Sequence, residues 1–200
     1  PIDAPLAEAF WPGPLSIVVP RAADCPVSLL ASAGLPSIAL RVPSHPAALA
    51  FLKAAGCPVV APSANPSGRI SPTTAEHVRK YLGSKVAAVL DGGRCKVGVE
   101  STVVSFLDDG PKLLRHGGIP RAEIEKVLRH TLAVESHSAR PHAPGQLLSH
   151  YAPHAELRLN AEPAAIRVRH VLGEAFEQHA VAVEAAAGLL RVSGWVIRPG

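Results

Sequence analysis

The stretch from Ala61 to Thr73 reads Ala-Pro-Ser-Ala-Asn-Pro-Ser-Gly-Arg-Ile-Ser-Pro-Thr, and it limits this chain more than any other. Small hydroxyl and amide side chains alternate there with prolines and a glycine. Such a stretch neither builds a core nor continues a helix or strand, so its own hydrogen bonds or a ligand must hold it. The apolar run 57–61 before it reads as a short buried strand. After it, Ser71-Pro72 sets a capping hydroxyl before a proline suited to the first helical position. Thr73-x-x-Glu76 has the capping-box pattern, so a helix is expected next. Free N–H groups at that helix start, with Ser63, Ser67, Ser71 and Thr73 close in sequence, suit an anion such as a phosphate. A plain strand–loop–helix connection fits the same residues, and local sequence leaves both readings open.

What stands around this loop must fill a core almost without aromatic rings. Hydrophobic residues make up 48% of the 200 but aromatic ones only 4%, which leaves Ala, Val, Leu and Ile. The length suits one domain, or one domain plus part of another. A net charge of +4 with ten histidines is compatible with anionic substrates. No Lys/Arg block marks a nucleic-acid groove. Cys25, Cys57 and Cys95 are far apart and odd in number, so they suggest reduced thiols in a cytoplasm rather than a zinc site or a disulfide framework. The sequence has no apolar run long enough to span a membrane and no signal peptide, so no membrane partner is expected. Methionine is absent and Pro1 reads as an internal residue, from which a piece of a longer protein is expected.

In chain order, Asp3 to Phe10 can form a short helix with Asp3 as cap, broken by Trp11-Pro12-Gly13-Pro14. Leu15 to Val19 reads as a strand closed by Pro20, Ser28 to Ala33 as one or two helical turns, and Ser37 to Pro43 as a strand. Arg41, near the end of that strand and before a proline-broken loop, is an anion-binding candidate. A helix is expected over His45–Ala55 and another over Thr73–Leu82, ended by Gly83. Val86 to Leu90 reads as a buried strand and Asp91-Gly92-Gly93 as a tight turn. Gly98 to Phe106 runs into a strand, Asp108-Asp109-Gly110 is a hairpin turn, and 112–115 is the partner strand. Pro120 to Leu132 reads as a helix with Ile124, Val127 and Leu128 inward. Helices and strands mix with hairpins, so the fold class is α/β with a mixed sheet. Residues 135–150 lose all periodicity and read as linker or lid. Glu156 to Leu159 starts a strand of a further unit, and 171–187 is helix-like.

Several motifs then occur in order: Phe10-Trp11-Pro12-Gly13-Pro14-Leu15, Ala39-Leu40-Arg41-Val42-Pro43, Ala61-Pro62-Ser63-Ala64-Asn65, Ser71-Pro72-Thr73, Gly98-Val99-Glu100-Ser101-Thr102 and Leu114-Arg115-His116-Gly117. Together they resemble the YrdC-type threonylcarbamoyl-AMP synthases. Pro144-Gly145-Gln146-Leu147 with His150-Tyr151-Ala152-Pro153 resembles the linker of the two-domain members. The resemblance implies a YrdC-like twisted mixed sheet with flanking helices over 1–133, a linker or lid over 134–154, and part of a C-terminal α/β domain over 155–200. It implies an enzyme that makes threonylcarbamoyl-AMP and pyrophosphate from L-threonine, bicarbonate and ATP with Mg2+, in the cytoplasm, for the threonylcarbamoyl modification of tRNA. A downstream threonylcarbamoyl transferase complex, and a weak association with tRNA, are the implied partners.

By the same resemblance, Arg41, the backbone near Ala61, and Ser101 contact L-threonine. Ser37, Ser63, Ser71, Arg115 and Tyr151 contact ATP, and Ser63 with Asn65 forms the catalytic pair. No protein ligand for a metal is assigned. The chemistry suits these types, because a carboxylate wants the planar fork of an arginine. Attack of a carbamate oxygen on the α-phosphate gathers negative charge, which Arg115 and loop donors would stabilise. Family members carry an N-terminal segment with a Lys-x-Arg motif that would precede Pro1, so the 200-residue chain by itself is expected to lack activity.

Other signals have plainer readings beside the chemical ones. His150 and His154 would share a helical face as metal ligands, but Pro153 between them opposes a helix. Glu100 suits either a general base or a structural partner of Arg115. Trp11 reads as a packing anchor of its turn rather than a platform for adenine. Two other functions fit the composition. One is the carbamoyl-adenylate chemistry of hydrogenase maturation factors, which come with zinc-finger cysteine pairs not seen here. The other is a non-catalytic RNA-binding module, for which stacking aromatics and basic clusters are sparse.

Overall fold

A computed structural model describes residues 4–67, 69–107 and 110–135, and the backbone of 156–159 and 195–198. The chain divides into two units, Pro1–Ala152 and Pro153–Gly200.

In the first unit, helix α1 (Ala4–Phe10) leads to strand β1 (Leu15–Pro20) through a turn with a cis Trp11–Pro12 bond. A 3-10 turn over Leu29–Ser32, capped by the Ser28 hydroxyl, precedes β2 (Ser37–Leu40). Helix α2 (Pro46–Ala55) follows with His45 as its cap, then α3 (Ala75–Leu82). Strand β3 (Thr102–Ser105), β4 (Lys112–Arg115), helix α4 (Arg121–Leu128) and β5 (Ala133–Val134) complete the unit. The sheet order is β2-β1-β3-β4-β5. The β1–β2 and β3–β4 pairs are antiparallel, and the β1–β3 and β4–β5 pairs are parallel. The mixed α/β class expected from the sequence is therefore present. In the second unit, β6 (Glu156–Leu159) pairs antiparallel with β7 (Trp195–Arg198).

Strand alternation sorts the first unit's side chains. Leu15, Ile17 and Val19 point to one face, where they join Leu6 of α1, Val104, Leu113, Ile119, Ile124 of α4 and Leu132 in the main core. Helices α1 and α4 cover that face and touch each other. Val18, Val103 and Leu114 form a much smaller cluster on the other face. Burying each large core side chain contributes about 1.5–3 kcal/mol, so the helix-covered face carries most of the unit's stability.

Two expected strands do not form. Residues 57–61 and 86–90 have the composition of buried strands, yet neither pairs, and Val60 (62% exposed) and Leu90 (70%) face solvent. A strand exists only with a neighbour for its backbone groups, and among the described residues no strand pairs with these runs. Helix α4 also stops earlier than the expected Leu132, because Arg129 turns into the left-handed region (φ 52°) and its N–H closes on the Glu125 carbonyl. The chain thereby folds back so that Leu132 enters the core and Ala133–Val134 adds a strand that periodicity did not suggest. The 108–109 part of the expected hairpin turn, the 135–150 linker beyond Glu135, His150, His154 and the 171–187 helix lie outside the described residues.

The cap of α3 lies one residue later than expected. Thr74, with extended backbone, accepts from the N–H of His77 at 3.3 Å, and His77 Nδ1 accepts from the N–H of Thr73 at 3.4 Å. The two bonds resemble the expected Thr73–Glu76 box, except that the returning group is a histidine and it reaches the N–H of the residue before the cap. Ser71 and Pro72 lie before the helix, and the Ser71 hydroxyl has another partner. Asp91 Oδ1 accepts from the N–H of Gly93 (φ 82°), which fits the tight-turn reading.

Candidate active site

The second face of the sheet is polar at both ends. By register Ala39 opposes Val18 and Ser37 opposes Pro20, so Ser37 and Ala39 stand on this face, and Arg41 continues the alternation. Ser16 shares it with Val18, and Ser101 and Ser105 share it with Val103. Helices shield the first face, whereas this one offers hydroxyls around a small apolar strip.

Arg115 reaches this face through an irregularity. Val104 opposes Leu113, but Val103 opposes Arg115, so Leu114 is an extra residue in β4. A bulge of this kind shifts the alternation by one and re-aims the side chain beyond it. The Arg115 guanidinium then donates to the Ser101 carbonyl from Nε at 3.0 Å and from one terminal nitrogen at 2.9 Å. It also donates to Ser101 Oγ at 3.0 Å. Arg41 is held from the other side, its Nε donating to the Gly13 carbonyl at 3.1 Å, while the N–H of Gly13 donates to the Val42 carbonyl. The Trp11–Pro14 turn is thus clamped to the end of β2. Trp11 is partly buried against the core and donates from Nε1 to the Leu15 carbonyl at 2.8 Å, which agrees with its reading as an anchor.

Two guanidiniums consequently share one end of the face. Lost hydration lowers the proton affinity of Arg41, and the like charge of Arg115 lowers it further. An arginine starts so far above neutral pH that Arg41 stays charged despite this. Two cations held this way attract an anion that can answer both.

The segment leading into β3 brings further groups to this end. The N–H of Thr102 donates to the Pro14 carbonyl at 2.9 Å, and the N–H of Gly118 donates to the Glu100 carbonyl at 2.9 Å. Gly117 lies so close that an added Cβ would stand 2.3 Å from the Thr102 nitrogen, so only glycine permits this approach. Buried Thr102 donates from Oγ1 to the Ile119 carbonyl and accepts from the Ile119 N–H, which locks the crossing. Glu100 accepts from the Ser71 hydroxyl at 2.8 Å and so ties the 61–73 loop to the residue beside Ser101. The carboxylate contact seen here is with Ser71, which is neither of the two roles expected for Glu100.

Within the loop, Asn65 Nδ2 donates to the carbonyls of Pro66 (3.0 Å) and Arg69 (2.9 Å). Its Oδ1 is buried and has no hydrogen-bond partner among the described residues. An amide fixed in this way holds its loop and keeps one acceptor for a ligand donor. Ala61 and Ser63 stand exposed on the same loop.

The structure therefore brings Arg41, Ser101 and Arg115 together, with Ser71 joined through Glu100. Ser37 is buried at the opposite end of the same face, four strand residues from Arg41, or about 13 Å at the usual rise. There it lines a cleft of about 310 Å3 with Ser105, Leu107, Leu114 and the Lys112–Glu135 ion pair (3.4 Å). Tyr151 lies outside the described residues. Sequence reasoning missed Ser16, whose Oγ lies 2.8 Å from Ser101 Oγ, because a serine inside a strand pattern carries no local signal of chemistry.

Comparison with known proteins bears on this site. Residues 3–117 match the family model Sua5_yciO_yrdC, described as telomere recombination, and residues 119–196 match the model for the C-terminal domain of threonylcarbamoyl-AMP synthase. A Bacillus subtilis threonylcarbamoyl-AMP synthase is 42% identical over 172 residues, which is 84% of this chain and 49% of that protein. The crystal structure of Pyrococcus abyssi Sua5 complexed with L-threonine superposes with a TM-score of 0.71 at 41% identity, covering 76% of this chain and 45% of that one. A 45-residue stretch is also 78% identical to the DNA mismatch repair protein MutL of Thiobacillus denitrificans, covering 22% of this chain and 8% of that protein. The chain spans about half the length of the two synthase relatives.

Proposed function

This chain belongs to the Sua5/YciO/YrdC family, and from that premise we propose that its polar sheet face forms threonylcarbamoyl-AMP and pyrophosphate from L-threonine, bicarbonate and ATP. The observation that carries the reading is the Arg41–Ser101–Arg115 cluster at one end of the face opposite α1 and α4. Arg41 suits the carboxylate of threonine as a forked, permanently charged donor. Ser101 and the backbone near Ala61 complete that subsite. Ser37, about 13 Å along the same face, places the nucleotide end of the substrate pair away from the carboxylate end. Ser71 and Arg115, beside the carboxylate end, with Ser63 of the same loop as Ser71, meet the phosphates, and Tyr151 is a further nucleotide contact in this reading.

The reaction needs placement more than a protein nucleophile. The unprotonated amine of threonine takes up bicarbonate as a carbamate with loss of water. A carbamate oxygen then attacks the α-phosphorus, and pyrophosphate leaves with the electron pair of the broken P–O bond. Arg115 meets the negative charge that gathers there. Asn65 holds the loop and offers Oδ1 to a substrate N–H, while Ser63 donates to phosphate. Among the described residues no group of three or more His, Cys, Asp or Glu side chains could hold a metal ion. Mg2+ bound chiefly by the nucleotide's own phosphates would neutralise charge there.

The product is an activated threonylcarbamoyl group for tRNA, passed to a transferase complex in the cytoplasm, with at most weak contact between this protein and tRNA. No helix among the described residues is long and apolar enough to cross a membrane. Residues 1–133 form the catalytic domain in this reading, with the linker and part of a C-terminal α/β domain beyond. The test is a chimaera in which residues 4–135 replace the matching part of the Bacillus subtilis relative. Pyrophosphate release that requires both L-threonine and bicarbonate, with the adenylate identified by mass, is the expected result. A folded chimaera that binds ATP and releases pyrophosphate without regard to threonine overturns the proposal.

A further inference from the structure

We propose that Ser16 is a positioning residue that aims the Ser101 hydroxyl proton at the bound substrate, an inference that rests on the reading above. Ser16 lies on β1 between the fully buried Leu15 and Ile17, so its own side chain points to the opposite, polar face. There its Oγ sits 2.8 Å from Ser101 Oγ, across 85 residues of sequence. Ser101 is itself buried, and its Oγ already accepts a hydrogen bond from Arg115.

A hydroxyl has one proton and two acceptor sites. When Ser16 donates, both acceptor sites of Ser101 are filled, one by Arg115 and one by Ser16. The remaining proton of Ser101 then points away from both, toward a ligand held beside the two guanidiniums. When Ser101 donates to Ser16 instead, it shows a lone pair to the ligand. The neighbouring guanidiniums of Arg41 and Arg115 attract an anion, and an anion needs donors around it. A carboxylate therefore selects the first arrangement, in which Ser16 supplies its proton to Ser101 and Ser101 supplies its own to the carboxylate. The pair acts as a relay of orientation, and no proton is transferred between molecules.

The experiment uses two β-branched replacements, which suit a strand equally well. Ser16→Val removes the hydroxyl while keeping the bulk of threonine, and Ser16→Thr keeps the hydroxyl. The chimaera carrying residues 4–135 and both of its variants are titrated with L-threonine and, separately, with ATP in a calorimeter, with circular dichroism as a check on folding. Losing one such hydrogen bond should weaken threonine binding about three- to tenfold in Ser16→Val, with ATP binding within about twofold of wild type and recovery in Ser16→Thr. Wild-type threonine affinity in Ser16→Val overturns the inference. So does an equal loss in both variants, or an equal loss for both ligands, since either would mean that Ser16 only packs. Should Ser16→Val fail to fold, Ser16→Ala takes its place under the same criteria. A folded chimaera that binds no threonine overturns the proposed function and this inference together, whereas a silent Ser16→Val in a chimaera that binds threonine overturns this inference alone.

Discussion

On one face of the five-stranded sheet stand Leu15, Ile17, Val19, Val104 and Leu113; one residue out of step, on the other face, stand Ser16, Val18, Val103, Ser105 and Leu114. The first set is closed over by α1 and α4, and the second, also buried at Val18, Val103, Ser105 and Leu114, ends in Arg41 and Arg115. The same few strands thus supply a stabilising surface and a binding surface, separated only by the period of two. The polar face can carry two like charges because the apolar face holds the strands in register without its help. Mutations on the two faces should therefore affect different measurements.

The largest expected effect is on the apolar face. Ile124→Ala removes a fully buried side chain from the main core and should destabilise the first unit by about 2–5 kcal/mol in urea unfolding. The affinity for threonine of the molecules that remain folded should not change; a parallel loss of both would mean that the faces are not independent.

The polar face is next. In the active chimaera, Arg41→Ala should raise the threonine KM about ten- to a hundredfold, the worth of a charge-assisted fork, with a much smaller change in the ATP KM. Arg115→Ala should do the reverse. Equal effects of both changes on both substrates would erase the division of this face into two subsites.

A smaller effect concerns how the apolar face is closed. The N–H of Leu132 donates to Glu125 Oε1 at 2.8 Å, and Arg121 Nε donates to the same oxygen at 2.8 Å. The Leu132 hydrogen bond, then that from Arg121, holds the Glu125 carboxyl below its ordinary value. A group depressed in the folded state stabilises it fully above the unfolded carboxylate range, near pH 4.5, and less as pH falls through the lowered value. Thermal melts should show the gap between wild type and Glu125→Gln narrowing as pH drops from that range. A gap constant from pH 6 to pH 2 would remove ionisation from the account.

The smallest effect contrasts an apolar run inside the sheet with one outside it. Leu90→Ala changes a side chain that is 70% exposed and should alter stability by no more than about 0.5 kcal/mol, despite a strand-like sequence around it. A loss comparable to that of Ile124→Ala in the same unfolding assay would place residues 86–90 in a packed sheet after all.

These contrasts also divide what could be read from residues alone. The helix that ends at Phe10, the strand from Leu15, the turns after Ser28, the helix after His45 and the Gly83 stop were all legible. Each depends on neighbours within a few residues, where period and cap chemistry act directly. The ordered motifs around Arg41, Asn65, Ser101 and Arg115 identified the family in the same way. Tertiary structure alone decided that the run 57–61 stays outside the sheet while the equally apolar 15–19 enters it, because a strand is defined by its partner. It also decided that an extra residue at Leu114 turns Arg115 onto the polar face, and that Ser16 meets Ser101. Register and pairing join residues 87 positions apart, as in Leu15 with Thr102, and no local property of either residue encodes which distant partner its backbone will find.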